Sequence, residues 1–146
     1  MAQSDSRRLP IVVPYLYPNL KNGIQPLDDY HLQNNSDGLG SFIVWKTDAV
    51  PEPTEQELAD AKEAAVNNRW WEDVRLIRDL NLQRTDEYAV SDRPNNEAWI
   101  THRQELRDLP TTITKPDFAT VLNHQSEGKW SEDIRASIVN PDGGRF

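Results

Sequence analysis

The apolar positions of this chain fall into distinct patterns, each predicting a different element. Residues 29–33 and 41–46 are short β-prone runs on either side of Asn34-Asn35-Ser36-Asp37-Gly38-Leu39-Gly40, which predicts two antiparallel strands joined by a loop. Thr54-Glu55-Gln56-Glu57 follows Pro51-Glu52-Pro53 and reads as a capping box: the Thr54 hydroxyl accepts from the Glu57 N–H, and acidic residues suit the start of a helix. Leu58, Ala61 and Ala65 then make one stripe, and Trp70, Val74 and Ile77 a second, rotated by roughly 140° at about 100° per residue. The phase change near Asn67-Asn68 leaves two readings open: two helices, or one long helix that buries one face early and another late. A third helical stretch runs from about Asn96, an N-cap type after Pro94, to Leu109, where Pro110 is expected to stop it. Trp99, His102, Leu106 and Leu109 share its face, and the short link 85–92 makes the pair an antiparallel helical hairpin.

The two ends lack such regularity. Residues 1–27 carry Pro10, Pro14, Pro18 and Pro26, each fixing φ and lacking an N–H, so an extended arm is expected. Its apolar residues, Ile11 to Val13 and Tyr15 to Tyr17, are costly to leave in water and should lie on another surface. After Thr111 the pattern decays among Pro116, Gly128, Pro141 and Gly143-Gly144, with one short helix or strand expected at Val121-Leu122 and one over 134–139. The expected fold class is α+β, mainly α: a small β-hairpin followed by a helical hairpin, with extended N- and C-terminal arms. The segments are 1–27 (Pro-rich arm), 28–53 (hairpin leader), 54–110 (helical hairpin) and 111–146 (tail).

Composition changes this picture in one respect. At 146 residues, one modest core is expected and two are not. Leu, Ile, Val and Phe make up only about 23% of the chain, just above the roughly 20% floor for folded domains. Part of the chain is therefore expected to order against a partner. A net charge of -8 argues against nucleic acid as that partner. No run of residues reaches a signal peptide's apolar core or a membrane span, so a soluble protein is expected.

Candidate chemistry is sparse. The chain has no Cys, which removes disulfides, thiolate nucleophiles and the usual structural zinc sites. His31, His102 and His124 lie far apart, and no phosphate loop, H-E-x-x-H or nucleophile elbow is present. His102 reads as a packing histidine, and Asn34, Asn35 and Asp37 as turn chemistry, not calcium ligands. Acidic and basic residues alternate along the helices, which marks solvated faces and singles out no catalytic carboxylate pair. No catalytic residue, metal or cofactor is expected. The five Trp residues point instead to protein contacts, since Trp concentrates where binding energy does. The candidate interface residues are Ile11, Val13, Tyr15, Tyr17, Trp70, Trp71, Trp99 and Trp130, with one of the Trp70-Trp71 pair expected to face another chain.

Residues 78–110, RDLNLQRTDEYAVSDRPNNEAWITHRQELRDLP, resemble the phage tail assembly chaperone type of domain. Arg78, Leu82, Thr85, Asp86, Asp92, Arg103, Gln104, Leu106, Arg107, Asp108 and Pro110 fit that pattern without a gap. Asn81 stands where a leucine is expected, Glu87 for a tryptophan and His102 for a tyrosine. Upstream, Ser36-Asp37-Gly38, Phe42-Ile43-Val44-Trp45 and Pro51-Glu52-Pro53-Thr54-Glu55 are similar to the leader that precedes such domains in phage tail and fibre-associated proteins. Together the two parts span roughly residues 36–110. The resemblance implies a non-enzymatic structural or adaptor protein of a tail, baseplate or tail fibre. The partners implied are other phage structural proteins and copies of the chain itself, in the virion and, during assembly, the host cytoplasm. The alternative is a transient assembly chaperone that leaves before the particle is complete. A hydrolase using scattered carboxylates and an acidic host-directed inhibitor are the competing classes; the diffuse charge favours neither.

Overall fold

The computed structural model describes residues 7–126 and 128–143. The chain is α+β and mainly helical, with five helices and one two-stranded antiparallel sheet among the described residues: α1 (Leu9–Leu16), β1 (Tyr30–Asn34), β2 (Ser41–Trp45), α2 (Glu55–Thr85), α3 (Asn96–Thr112), α4 (Phe118–Ser126) and α5 (Trp130–Ala136). A 3-10 turn, Asp86–Ala89, follows α2.

Helix α1 occupies a stretch that was expected to be extended. Pro10 sits in its first turn, where a missing N–H costs nothing, and Pro14 removes only one internal bond. Against that loss, Leu9, Val12 and Val13 are fully buried along one helical stripe, with Leu16 packed beside them. The helix ends before Pro18, as the restriction on a pre-proline residue requires.

The hairpin pairs Tyr30 with Trp45 and Asn34 with Ser41. Its loop is closed by side-chain oxygens: the Ser36 N–H donates to Asn34 Oδ1 at 2.8 Å and the Leu39 N–H to Asp37 Oδ1 at 3.0 Å. Two of the oxygens weighed as calcium ligands thus serve the turn.

Thr54 caps α2 as its sequence predicts, its hydroxyl accepting from the Glu57 N–H at 3.1 Å. The helix then runs unbroken for 31 residues, which decides between the two readings of the phase change. α3 departs from expectation at both ends. Asn95, not Asn96, is the N-cap and makes no side-chain capping bond, and the helix continues through Pro110 to Thr112. A proline in the last turn forfeits one bond without breaking what precedes it.

The chain divides into two units, one ending at Asn68 and one beginning at Arg69, a boundary inside α2. One modest core was expected, yet each unit buries its own set of apolar residues, because α2 changes its buried face on passing from one to the other. In the first, Leu9, Val12, Val13, Tyr30, Leu58 and Ala65 form the core, with Leu32, Ile43, Trp45 and Ala61 packed against it. Residues 7–27 of the arm, the hairpin leader and the first half of α2 are therefore one body, and the apolar face of α1 lies on its own chain, while residues 1–6 of the arm fall outside the described residues. Trp45 binds it together, stacking on Tyr30 at 5.8 Å, meeting Tyr17 edge-on at 5.4 Å and donating from Nε1 to the Val50 carbonyl at 3.1 Å.

In the second unit, Trp70, Val74 and Ile77 of α2, Trp99, Leu106 and Leu109 of α3, and Val121, Trp130 and Ile134 beyond are buried. The tail is thus not an extended arm over 118–136: the two apolar runs flagged there each seed a helix. Asp117 starts α4 by accepting from the Thr120 N–H at 2.8 Å, and its hydrogen bonds with Thr120 hold its carboxyl below the usual range.

Candidate protein-interaction surfaces

Between α1 and β1 the chain builds a loop fixed almost wholly by polar contacts. The Lys21 N–H donates to Asp29 Oδ2 at 2.7 Å, the Asp29 N–H to the Lys21 carbonyl at 2.8 Å and the Gly23 N–H to the Tyr30 carbonyl at 2.8 Å. The Lys46 ammonium reaches across to the Gly23 and Gln25 carbonyls at 2.7 and 2.9 Å. Buried Asp28 closes the loop from inside, accepting from the Gln25 N–H at 3.0 Å and pairing with Lys21 Nζ at 3.2 Å. With the backbone so held, Ile24 and Leu27 point away from the fold, 80% and 96% exposed. Large apolar side chains on a rigid support are what a contact surface needs.

Two outcomes test this construction. A Cβ added at Gly23 would lie 2.1 Å from Asp28 Oδ2 and 2.8 Å from its Cγ. Since Asp28 is buried and tethered, Gly23→Ala should destabilise the protein by about 1–3 kcal/mol in equilibrium denaturation. The second outcome concerns pH. Burial pushes the Asp28 carboxyl up, but the Gln25 N–H, the Lys21 hydrogen bond and charge, and the Lys46 charge outweigh it and hold it below the usual range. A carboxyl lowered by folding stabilises above its unfolded pKa, about 4, and that stabilisation is lost as pH falls through the folded value. Acidification below about pH 4 should therefore release this loop, read as faster hydrogen exchange at the Gln25 and Asp29 amides.

The residues singled out from sequence are distributed unevenly. Val13, Trp70, Trp99 and Trp130 are buried within the fold, so their side chains are taken up by the chain's own packing and offer no free surface. Ile11 and Tyr17 pack against the first core. Tyr15 is exposed and Trp71 half-buried, its ring edge-on to Trp70 at 4.9 Å. The adjacent pair thus splits as helix geometry requires, one ring inward and the other toward the rim. Ile24 and Leu27 show no periodicity in the sequence; the available signal is two apolar residues between Gly23 and Asp28 in a stretch with no way to bury them.

The residues that carry the family resemblance form a structural clamp. Arg103 of α3 is 14% exposed in its side chain, and its Nη1 donates to the Leu82 carbonyl at 2.5 Å and to Thr85 Oγ1 at 2.9 Å, while Nη2 pairs with Asp86 Oδ1 at 2.5 Å. Fully buried Thr85 in turn donates to the Asn81 carbonyl at 2.7 Å. The guanidinium therefore satisfies the carbonyl end of α2, where a cation also complements the helix dipole. Next to it, Tyr88 stacks on Trp99 at 4.5 Å and lies under the Arg93 guanidinium at 5.3 Å. Asn81, a departure from the pattern, donates to the Ile77 carbonyl at 2.8 Å within α2.

A groove of about 340 Å³ lies along the other half of α3, between it and the segment that follows α5. Leu106, Leu109, Ile138 and Val139 supply its apolar walls, and Glu105 and Asp108 its charged rim. His102 also lines it; this ring is buried, and its Nε2 has no hydrogen-bond partner. His124 pairs with Asp133, and His31 Nε2 lies 3.4 Å from Gln33 Oε1. Among the described residues no group of three or more His, Asp or Glu is arranged to hold a metal ion, and no helix is long and apolar enough to cross a membrane.

Comparison with known families matches residues 71–127 to the phage tail assembly chaperone protein family and residues 9–69 to the XkdW protein family. The two matches meet where the fold itself divides. The second begins at Leu9, well upstream of the leader similarity seen in the sequence. No curated protein and no solved structure matches the chain.

Proposed function

We propose that this phage tail assembly chaperone-like protein acts without catalysis, holding a tail or tail-fibre protein during assembly of a tailed bacteriophage. The observation that carries this reading is the family match over residues 71–127, which takes in the Arg103 clamp and part of the α3 groove. The exposed apolar residues of the 21–30 loop and the groove supply surfaces of the kind a client protein would cover.

A second reading, a permanent adaptor in the tail, baseplate or fibre, is favoured by the rigidity of the 21–30 loop. A protein that holds varied or unfolded clients tends to use adaptable, Met-rich surfaces, whereas this chain has one Met and presents Ile24 and Leu27 on a fixed frame. Quantitative mass spectrometry of infected cells and of washed particles separates the two. A chaperone is found with tail precursors in the lysate and is absent from particles; an adaptor is present in particles at a fixed copy number. A phage lacking the gene that still builds normal tails would sink both.

A further inference from the structure

We propose that Asn22 is a site of spontaneous covalent conversion, to aspartate and isoaspartate, which the closed 21–30 loop holds off and which opening of that loop releases. Asn22 is the one asparagine of the sequence followed by glycine. Asparagine is thermolabile, and most so where the next residue has no side chain to shield its backbone nitrogen. The fold requires glycine here, since a Cβ at position 23 would lie 2.1 Å from Asp28 Oδ2. The loop therefore depends on the very residue that makes Asn22 vulnerable.

The chemistry needs only water and hydroxide. Hydroxide removes the Gly23 amide proton, and the nitrogen attacks Asn22 Cγ. A C–N bond forms, the bond to the side-chain nitrogen breaks, and ammonia leaves with a proton from water, which regenerates hydroxide. Water then opens the five-membered succinimide at one of its two carbonyls. One opening gives aspartate; the other gives isoaspartate, in which the main chain runs through the side-chain carbon.

The structure restrains the first step. The Gly23 N–H donates to the Tyr30 carbonyl at 2.8 Å, so the proton that must be lost is engaged. Asn22 pairs with Tyr30 in a parallel bridge. The peptide groups before and after are held as well, by the Asp29 N–H on the Lys21 carbonyl at 2.8 Å and by Lys46 Nζ on the Gly23 carbonyl at 2.7 Å. Ring closure requires the backbone at Asn22 to rotate, and these bonds oppose it. Solvent access does not limit the reaction, because Asn22 is exposed. The rate in the folded protein is then set by local opening of the loop.

Conversion also prevents reclosure. Either product adds a carboxylate beside Asp28 and Asp29, and isoaspartate lengthens the main chain by one carbon between the Lys21 and Gly23 bonds, so the two can no longer form in register. Ile24 and Leu27 then lose their fixed support. This holds under either phage reading, and its failure would leave both standing.

Peptide mapping with electron-transfer fragmentation, which locates isoaspartate, tests the proposal on the full-length protein kept in warm, mildly alkaline buffer. A synthetic peptide of residues 19–27 and the urea-denatured full chain should convert at similar rates, each roughly tenfold or more faster than the folded protein. Lys46→Met and Asp29→Ala each remove loop bonds and change the local charge in opposite directions; both should speed conversion in the folded protein by roughly threefold to tenfold. Asn35, followed by Ser36 in the hairpin loop, is the internal reference, and its rate should stay unchanged in both variants if opening is local. A folded protein that converts as fast as its denatured chain overturns the proposal, as do variants that convert no faster than wild type. Acceleration by one variant and slowing by the other also overturns it, since local charge, not loop closure, would then set the rate.

Discussion

Replacing Arg103 with alanine should lower stability by about 2–4 kcal/mol, the largest loss expected from any polar substitution in the chain. The side chain is mostly buried and makes three polar contacts at once, to the Leu82 carbonyl, the Thr85 hydroxyl and Asp86. Its removal leaves the Leu82 carbonyl only the longer contact from the Thr85 hydroxyl, at 3.2 Å, and leaves Thr85 facing a void. Two companion variants locate the effect. Asp86→Asn should cost under about 1 kcal/mol, because the Asp86 side chain is mostly exposed and its ion pair is screened. Arg103→Lys should lose roughly half of what alanine loses, since an ammonium cannot span the fork that a guanidinium fills. Equilibrium denaturation reads all three, and an Asp86→Asn loss equal to that of Arg103→Ala would shift the explanation from capping to surface charge.

The second large effect is expected at Trp130. This residue is buried at the start of α5 and donates from Nε1 to the Val121 carbonyl of α4 at 2.7 Å. Trp130→Ala removes that bond together with the largest side chain of its neighbourhood and should cost about 3–5 kcal/mol. Trp130→Phe keeps most of the apolar volume but deprives the Val121 carbonyl of its indole donor, for about 1 kcal/mol. Hydrogen exchange followed by mass spectrometry should show the loss of protection concentrated in α4 and α5, with α1 and the hairpin unaffected. Uniform loss over the whole chain would mean that the two units unfold as one.

How much of this was legible depended on the range of the forces involved. The hairpin, its Asx-closed loop, the Thr54 cap and the shift in buried face along α2 are local, and each follows from neighbouring residue types. Proline spacing makes the N-terminal segment read as extended, but the stripe of Leu9, Val12, Val13 and Leu16, helical at i, i+3, i+4 and i+7, prevails. One proline in the first turn and one interior bond forfeited are small against three fully buried aliphatic residues. Pro110 likewise sits inside the last turn of α3 without ending it.

The interaction surfaces were hard to find for a different reason. Aromatic content led to Trp70, Trp99 and Trp130, yet large rings are also what a thin core needs most, and the fold consumed them. Ile24 and Leu27 stand out only when the loop's polar contacts are known, and the groove is assembled from residues about thirty positions apart. The clamp lies between these extremes. Its residue types are conspicuous in the sequence, but their purpose, satisfying the carbonyl end of α2, appears only when α3 delivers Arg103 to it.

The meeting of the two family matches inside an uninterrupted α2 bears on how the halves can be dissected. Severing the chain there creates two raw helix ends, each with up to four backbone groups that lack partners. A fragment opening at Asn67 or Asn68 begins on a side chain suited to receive those orphan N–H groups. Its upstream counterpart has no glycine near the cut to terminate on, so that fragment alone needs an engineered stop.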